Sequence, residues 1–381
     1  MLASIVVIAY NAANHLDDCL GSLFRQTFPA GEFEVIWVDS CSSDHSAQTI
    51  RERYPQVRVL ALEHNLGYRR GINAGAALAR GQHLVVLNQD TLMDREWLAQ
   101  LVAAAEADPG VGIVAPKILM YDRPEIVNEA GNTLHYSGLY GSRGLGAHSS
   151  VYNRPETLAT MSGCCFLIRR ALWLRLGGFS EDFDQLDVGW HASYEDVDLA
   201  WRAQLLGYRV LLNPQAIMYH KYTSKGLVAG RFGSYEWGRA LTLARNYQVR
   251  TLILLAPLLA AIEVGAWLYA LSQGRASVAV KLRVTSWLLT HLSEVRRMRR
   301  RVQAQRAVTD RAIIERMSPR IGVAHVMAGA HSPGLAQRAF DLVGARYHHF
   351  LLGALALLGD TGSQTLAQPA SEAERLGGVR P

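Results

Sequence analysis

The chain has 381 residues, 49% of them hydrophobic and 19% charged, with a formal net charge of +6. This balance excludes a disordered chain and suits one large domain, or a catalytic domain with an extension. The charge is uneven: residues 221–320 hold 18 Lys and Arg against 5 Asp and Glu, which points to an acidic partner surface, anionic lipid or nucleic acid. Cys19, Cys41, Cys164 and Cys165 show neither zinc-site nor disulfide spacing, and read as reduced, partly buried thiols of a cytoplasmic protein. The opening apolar run is too short, and lacks the basic flank, for a signal peptide.

Taken in chain order, short β-rich runs alternate with helical patterns. Ser4–Ala9 reads as a buried strand, and Asn14 as the cap of a helix with Leu16, Leu20, Leu23 and Phe24 on its apolar face. Strands are expected over Phe33–Val38, Val57–Leu62, His83–Leu87 and Val111–Ala115, with helices near Ser46–Tyr54, Gly71–Ala79 and Asp94–Ala107. Such alternation implies a mainly parallel sheet covered on both faces, with ligands outside the carboxyl ends of its strands. Those ends are Tyr10-Asn11, Asp39-Ser40 and Asn88-Gln89-Asp90. Residues 121–160 lack periodicity and read as irregular or hairpin structure over the site. A strand over Met161–Ile168, a short helix closed by Gly177-Gly178, a helix over Asp196–Leu206 and a last strand over Tyr208–Leu212 follow. The division expected is an α/β domain over 1–238, a basic and apolar helical extension over 239–358, and a disordered tail over 359–381.

Transferring a sugar from a nucleotide diphosphate requires that the nucleoside be held, the pyrophosphate neutralised and the acceptor hydroxyl deprotonated. Carboxylates answer the last two demands, one through a divalent metal and one as general base. The ordered set Ile8-Ala9-Tyr10-Asn11, Val38-Asp39-Ser40, Asn65-Leu66-Gly67-Tyr68, Gly71-Ile72-Asn73-Ala74-Gly75, Asn88-Gln89-Asp90, Gly177-Gly178-Phe179 and Tyr194-Glu195-Asp196-Val197-Asp198 resembles the bacterial family 2 inverting glycosyltransferases, in particular rhamnosyltransferase-like members. It spans roughly residues 3–225. The resemblance implies a GT-A fold. It also implies Tyr10, Asn11, Asp39, Asn65, Gly67, Asn73 and Asn88 around the nucleotide, and Asp90 with His220 on Mg²⁺ or Mn²⁺. Asp196, beside Glu195, would be the general base, kept ionised by a helix N-terminus. Arg69 and Arg70 either meet the pyrophosphate or are solvated. Asn88 stands where the family's metal motif has its first carboxylate. The implied activity is a hexosyl- or deoxyhexosyltransferase of cell-surface polysaccharide synthesis, using a UDP-, dTDP- or GDP-sugar, dTDP-rhamnose among them, and a glycan or lipid-linked acceptor.

Leu252–Leu271 is long enough to cross a bilayer, but Pro257, Glu263 and basic flanks on both sides suit a helix lying in the interface. Arg296, Arg297, Arg299, Arg300, Arg301 and Arg306 suit anionic head groups. The expected location is therefore the inner face of the cell membrane, without nucleic acid. A soluble helical subdomain packed on the catalytic domain, or pairing two copies as a homo-oligomer, is the alternative. A nicotinamide enzyme is disfavoured because the first strand ends without a glycine fingerprint. A degenerate scaffold that binds nucleotide-sugar without turnover is permitted by Asn88.

Overall fold

The structure is a computed structural model describing residues 1–188, 194–222, 229–320 and 335–360; the tail expected beyond 360 lies outside the described residues. Strands β1 (Ala3–Ala9), β2 (Phe33–Asp39), β3 (Arg58–Ala61) and β4 (His83–Asn88) run parallel in the order β3-β2-β1-β4. β5 (Thr91–Met93) and β6 (Val111–Met120) follow, then β7 (Val127–Glu129), the hairpin of β8 (Asn132–Leu134) and β9 (Tyr140–Ser142), and β10 (Glu156–Leu158). β11 (Cys165–Arg169) lies antiparallel between β4 and β6, and β12 (Arg209–His220) runs parallel to β6. The sheet is thus mixed but mostly parallel, as the alternation of runs implies.

Successive side chains of a strand point to opposite faces, and both faces here are covered. Ile5, Val7, Val35, Trp37, Val85 and Leu87 pack against α1 (Leu16–Leu23), α2 (Ser46–Arg53) and α4 (Trp97–Glu106). Val6, Ile36, Val38, Leu84 and Val86 pack against α3 (Gly67–Ala77), α5 (Arg170–Leu176) and α6 (Glu195–Leu205). Helix α3 lies so close to the sheet that a Cβ on Gly71 or Gly75 would fall 2.5 Å from Ile8 or Val38. Glycine at both positions is therefore a packing requirement.

Two local expectations are corrected. Asn14 caps nothing: it sits inside a short 3₁₀ turn over Ala13–His15, and α1 starts without a side-chain cap. β12 does not stop at Leu212. It absorbs Asn213-Pro214 in a register shift before Ile217 and continues to His220. A bulge accommodates a proline that a regular ladder would reject.

The extension comprises α7 (Ala229–Asn246), α8 (Val249–Gln273), α9 (Arg275–Thr290), α10 (Leu292–Gln303), α11 (Asp310–Ile314) and α12 (Leu335–Leu357). It shares one apolar core with the α/β side: Val197, Trp201 and Leu205 of α6 pack with Trp237, Leu241, Tyr247, Val280, Met298 and Ile313. The boundary expected at 238 falls inside α7. The basic cluster is also partly engaged within the fold. Arg299 donates to the carbonyls of Ala244 and Tyr247, Arg306 to that of Asn246, and Gln303 to those of Arg245 and Asn246. These side chains satisfy the carbonyls at the end of α7, which a helix terminus leaves unpaired.

Candidate active site

Parallel pairing places Ala9 beside Asp39 and Ile8 beside Asn88, so the carboxyl ends of β1, β2 and β4 meet. Above them opens a cavity of about 740 Å³ lined by Tyr10, Ser40, Asn65, Gly67, Tyr68, Arg70, Asn88, Gln89, Asp90, Asp184 and Asp187, among others. Asn88 in its wall, and Asp39 at the neighbouring strand end, each bury an Oδ1 that makes no hydrogen bond among the described residues. The Asn88 acceptor at the cavity wall is open to a ligand's donors. The other Asp39 oxygen accepts from the Ser42 N–H at 3.2 Å.

The remaining expected nucleotide residues sort by what their side chains touch. Tyr10 is exposed over the cavity and its backbone is pinned by Gln89, which accepts from the Tyr10 N–H at 2.7 Å and donates to its carbonyl at 3.2 Å. Asn65 accepts from the Gly67 N–H at 2.9 Å and so shapes the start of α3, where Gly67 takes a φ of 74° that favours glycine. Asn11 and Asn73 do not line the cavity. Asn11 accepts from the Ser43 N–H at 3.0 Å and ties two loops together. The Asn73 amide is doubly engaged with the Phe179 backbone, donating to its carbonyl at 2.9 Å and accepting from its N–H at 3.0 Å.

Asp90 and His220 meet at the cavity's edge, carboxylate oxygen to Nε2 at 3.4 Å. Nδ1 of His220 lies 2.9 Å from the side-chain oxygen of Asn128, which orients the ring so that Nε2 faces Asp90. Burial pushes the Asp90 carboxyl up, but the imidazole overcomes this and leaves it below its ordinary range. Two facing lone-pair donors of these types fit a divalent cation that takes its other ligands from phosphate and water. No group of three His, Cys, Asp or Glu with metal-ligand geometry exists among the described residues.

Glu195 and Asp196 open α6, next to the cavity. Asp196 accepts from the N–H groups of Gly163 at 3.0 Å and Val197 at 2.8 Å. The Gly163 carbonyl in turn accepts from the Tyr68 hydroxyl, and the neighbouring Cys164 carbonyl from the Asn88 N–H. One short segment therefore joins the carboxylate to the cavity wall. Contrary to the expectation of an easily ionised base, burial first and the Glu195 charge second raise Asp196 to about 8. The dipole of α6 does not offset them.

Arg69 does not reach the cavity. It is buried, 2.5 Å from Asp184 and 3.6 Å from Glu195, with the Phe183 ring at 5.7 Å. Arg70 is half exposed and pairs with Asp184 at 3.1 Å. Three features escaped the sequence reading. Gln89 and Asn128 position Tyr10 and His220. Tyr194, just before the pair, holds a left-handed backbone at φ 67° while its hydroxyl donates to the Gly138 carbonyl at 2.8 Å. A buried bulky residue in this region is strained, and the strain sets the direction in which α6 begins.

Residues 4–176 match the model of the family described as Glycosyl transferase family 2. The poly-beta-1,6-N-acetyl-D-glucosamine synthase of Staphylococcus epidermidis is 22% identical over 57% of this chain and 49% of its own length. The O-antigen biosynthesis protein RfbC of Myxococcus xanthus is 28% identical over 57% of this chain and 17% of its own. The chain thus spans about half or less of the curated relatives it matches. A solved structure of GalNAc-T7 with UDP, GalNAc and Mn²⁺ superposes with a TM-score of 0.52 at 17% identity, over 77% of this chain and 57% of that one. The match over residues 4–176 and the mostly parallel sheet fit a GT-A fold, here followed by a helical C-terminal region.

Proposed function

We propose that the protein transfers a sugar, with inversion, from a nucleotide-diphosphate donor to a glycan or lipid-linked acceptor in surface polysaccharide synthesis. The reading is carried by one juxtaposition: a large cavity with the orphaned Asn88 acceptor in its wall and that of Asp39 at the adjacent strand end, the Asp90–His220 pair at its edge and buried Asp196 behind Gly163. Asp39 and Asn88 take hydrogen bonds from the base or ribose, under Tyr10. Asp90 and His220 hold a divalent cation, Mg²⁺ or Mn²⁺, which when bound neutralises diphosphate charge. Asp196 accepts the proton of the acceptor hydroxyl. The acceptor oxygen then bonds to the anomeric carbon from the side opposite the diphosphate, as the bond to the leaving phosphate oxygen breaks. Glu195, held by Arg69, keeps the Asp196 carboxylate strongly basic.

The deoxyhexosyl donor, dTDP-rhamnose, belongs to this proposal through the resemblance alone. Calorimetric titration with UDP, dTDP and GDP, each with and without Mn²⁺, tests the reading and selects the nucleotide. Metal-dependent binding of one nucleotide, lost in Asp90→Ala and in His220→Ala, is the expected result. A folded chain that binds none of the three refutes it.

A further inference from the structure

In a soluble protein the outward face of a surface helix is polar. Helix α8 inverts this rule. From Ile253 to Leu271 its exposed residues, Ile253, Ala256, Pro257, Ala260, Ala261, Val264, Gly265, Leu268 and Leu271, recur at helical spacing without one polar side chain; Ser272 and Gln273 follow at its end. Ile253, Val264, Leu268 and Leu271 are each 61–67% exposed. Only 11% of its most apolar 18-residue window is buried, which excludes the reading of α8 as a core helix. Helix α12, whose Tyr347 donates to the Leu254 carbonyl, adds exposed Leu342, Val343, Phe350 and Leu357, with Arg346 and His349 among them.

The single charge within the α8 stripe's length, Glu263, is 41% exposed but is drawn toward the neighbouring helices. Glu263 is engaged by Lys281 of α9 at 2.8 Å and by Arg239 of α7 at 3.4 Å, and Lys281 and Arg239 also hold Glu236. If α8 crossed a bilayer, this network of four charges would be carried toward the bilayer centre with it, an expensive position for charged groups. Exposed Arg275 and Arg283 of α9, which packs on α8, and exposed Arg296 and Arg300 of α10, which packs on α7 and α9, make no ion pair among the described residues.

We propose that α8, with the adjoining face of α12, lies in the plane of an anionic lipid leaflet, its apolar stripe among the acyl chains and these four arginines among the head groups. An apolar face in the interface flanked by cations is the physical pattern of in-plane membrane helices. The proposal is independent of the chemistry assigned to the cavity, so nucleotide binding can fail without affecting it, and the reverse.

The test is flotation of the purified full chain with vesicles of phosphatidylcholine alone and of phosphatidylcholine with phosphatidylglycerol, alongside light scattering of the vesicle-free protein. The expected result is flotation on the anionic vesicles, weakened about tenfold or more by Val264→Asp with Leu268→Asp. Arg296→Gln with Arg300→Gln should abolish the preference for anionic lipid. Both stripe positions point outward, so the variants are expected to keep the wild-type circular dichroism, and Leu174→Asp, exposed on the catalytic side, serves as control. A folded chain that floats on neither vesicle overturns the proposal. So does a dimer that the stripe variants dissociate without any change in flotation, since the occupant would then be a second copy.

Discussion

Asp198 offers a quantitative test of how the catalytic helix is held. Its side chain is completely buried, yet it accepts from Arg202 at 2.6 Å, from Arg245 of α7 at 3.1 Å and from Asn246 at 3.4 Å. Burial alone would raise its carboxyl; the two guanidinium groups overcome that and hold it below the ordinary range. Arg245 is itself buried and reaches Asp182 at 2.9 Å. Asp198→Ala therefore leaves two buried cations short of their shared counter-charge. Breaking a buried pair on one side costs about 3–5 kcal/mol, a large part of the 5–15 kcal/mol typical of a domain. Asp17, 2.5 Å from Arg53 but 72% exposed, is the matched comparison; its alanine variant should lose no more than about 1 kcal/mol. Urea denaturation followed by tryptophan fluorescence measures both. Because the Asp198 carboxyl is depressed, its contribution is present above the unfolded pKa and lost as pH falls through the folded one, so the two variants should differ least in acid. Equal losses for Asp198→Ala and Asp17→Ala at neutral pH would refute the reasoning.

Since Asp196 is raised to about 8, kcat/KM should climb with pH toward a plateau above that value, and Glu195→Gln should move the limb to lower pH. Asp196→Asn should bind donor normally and lose about 10²-fold or more in transfer; wild-type turnover in that variant would end the base assignment. Gly238→Ala places a Cβ 2.4 Å from the Tyr194 ring, so it should destabilise by about 1–3 kcal/mol and lower activity, and a variant of unaltered thermal midpoint would show that α7 does not brace Tyr194. Among the four cysteines only Cys41 is exposed, and burial pushes Cys19 up to about 12. Ellman's reagent should therefore titrate one thiol in the native protein and four after denaturation; rapid labelling of a second native thiol would contradict the packing of Cys164 and Cys165.

The sheet was legible because strands buried on both faces must be apolar runs, and β1, β2 and β4 are such runs ending in polar residues. Asp39, Asn88 and Asp90 could be placed at one edge on that basis alone. What was not legible depends on partners far along the chain. Asn73 looks like a ligand residue until Phe179, 106 positions later, takes both ends of its amide. Arg69 looks like a phosphate contact until Asp184 and Glu195 surround it. Glu263 reads as a flaw in an apolar helix, and only the neighbouring helices show the cations it faces. The raised pKa of Asp196 was equally hidden, because a helix start predicts the opposite direction and only the depth of burial, with the Glu195 charge, reverses it.

The shared core between α6 and the extension bears on how this protein can be taken apart. A fragment ending at residue 238 would sever α7, strip Arg245 from Asp198 and leave Trp201 without Tyr247, whose ring stands edge-on to it at 4.7 Å. Glu195 and Asp196, on α6, are therefore expected to unfold together with the outer helices that share its core. Trimming the C-terminal half should leave no folded α/β module, and lesions in the outer helices should weaken nucleotide binding even where no side chain of theirs approaches the cavity.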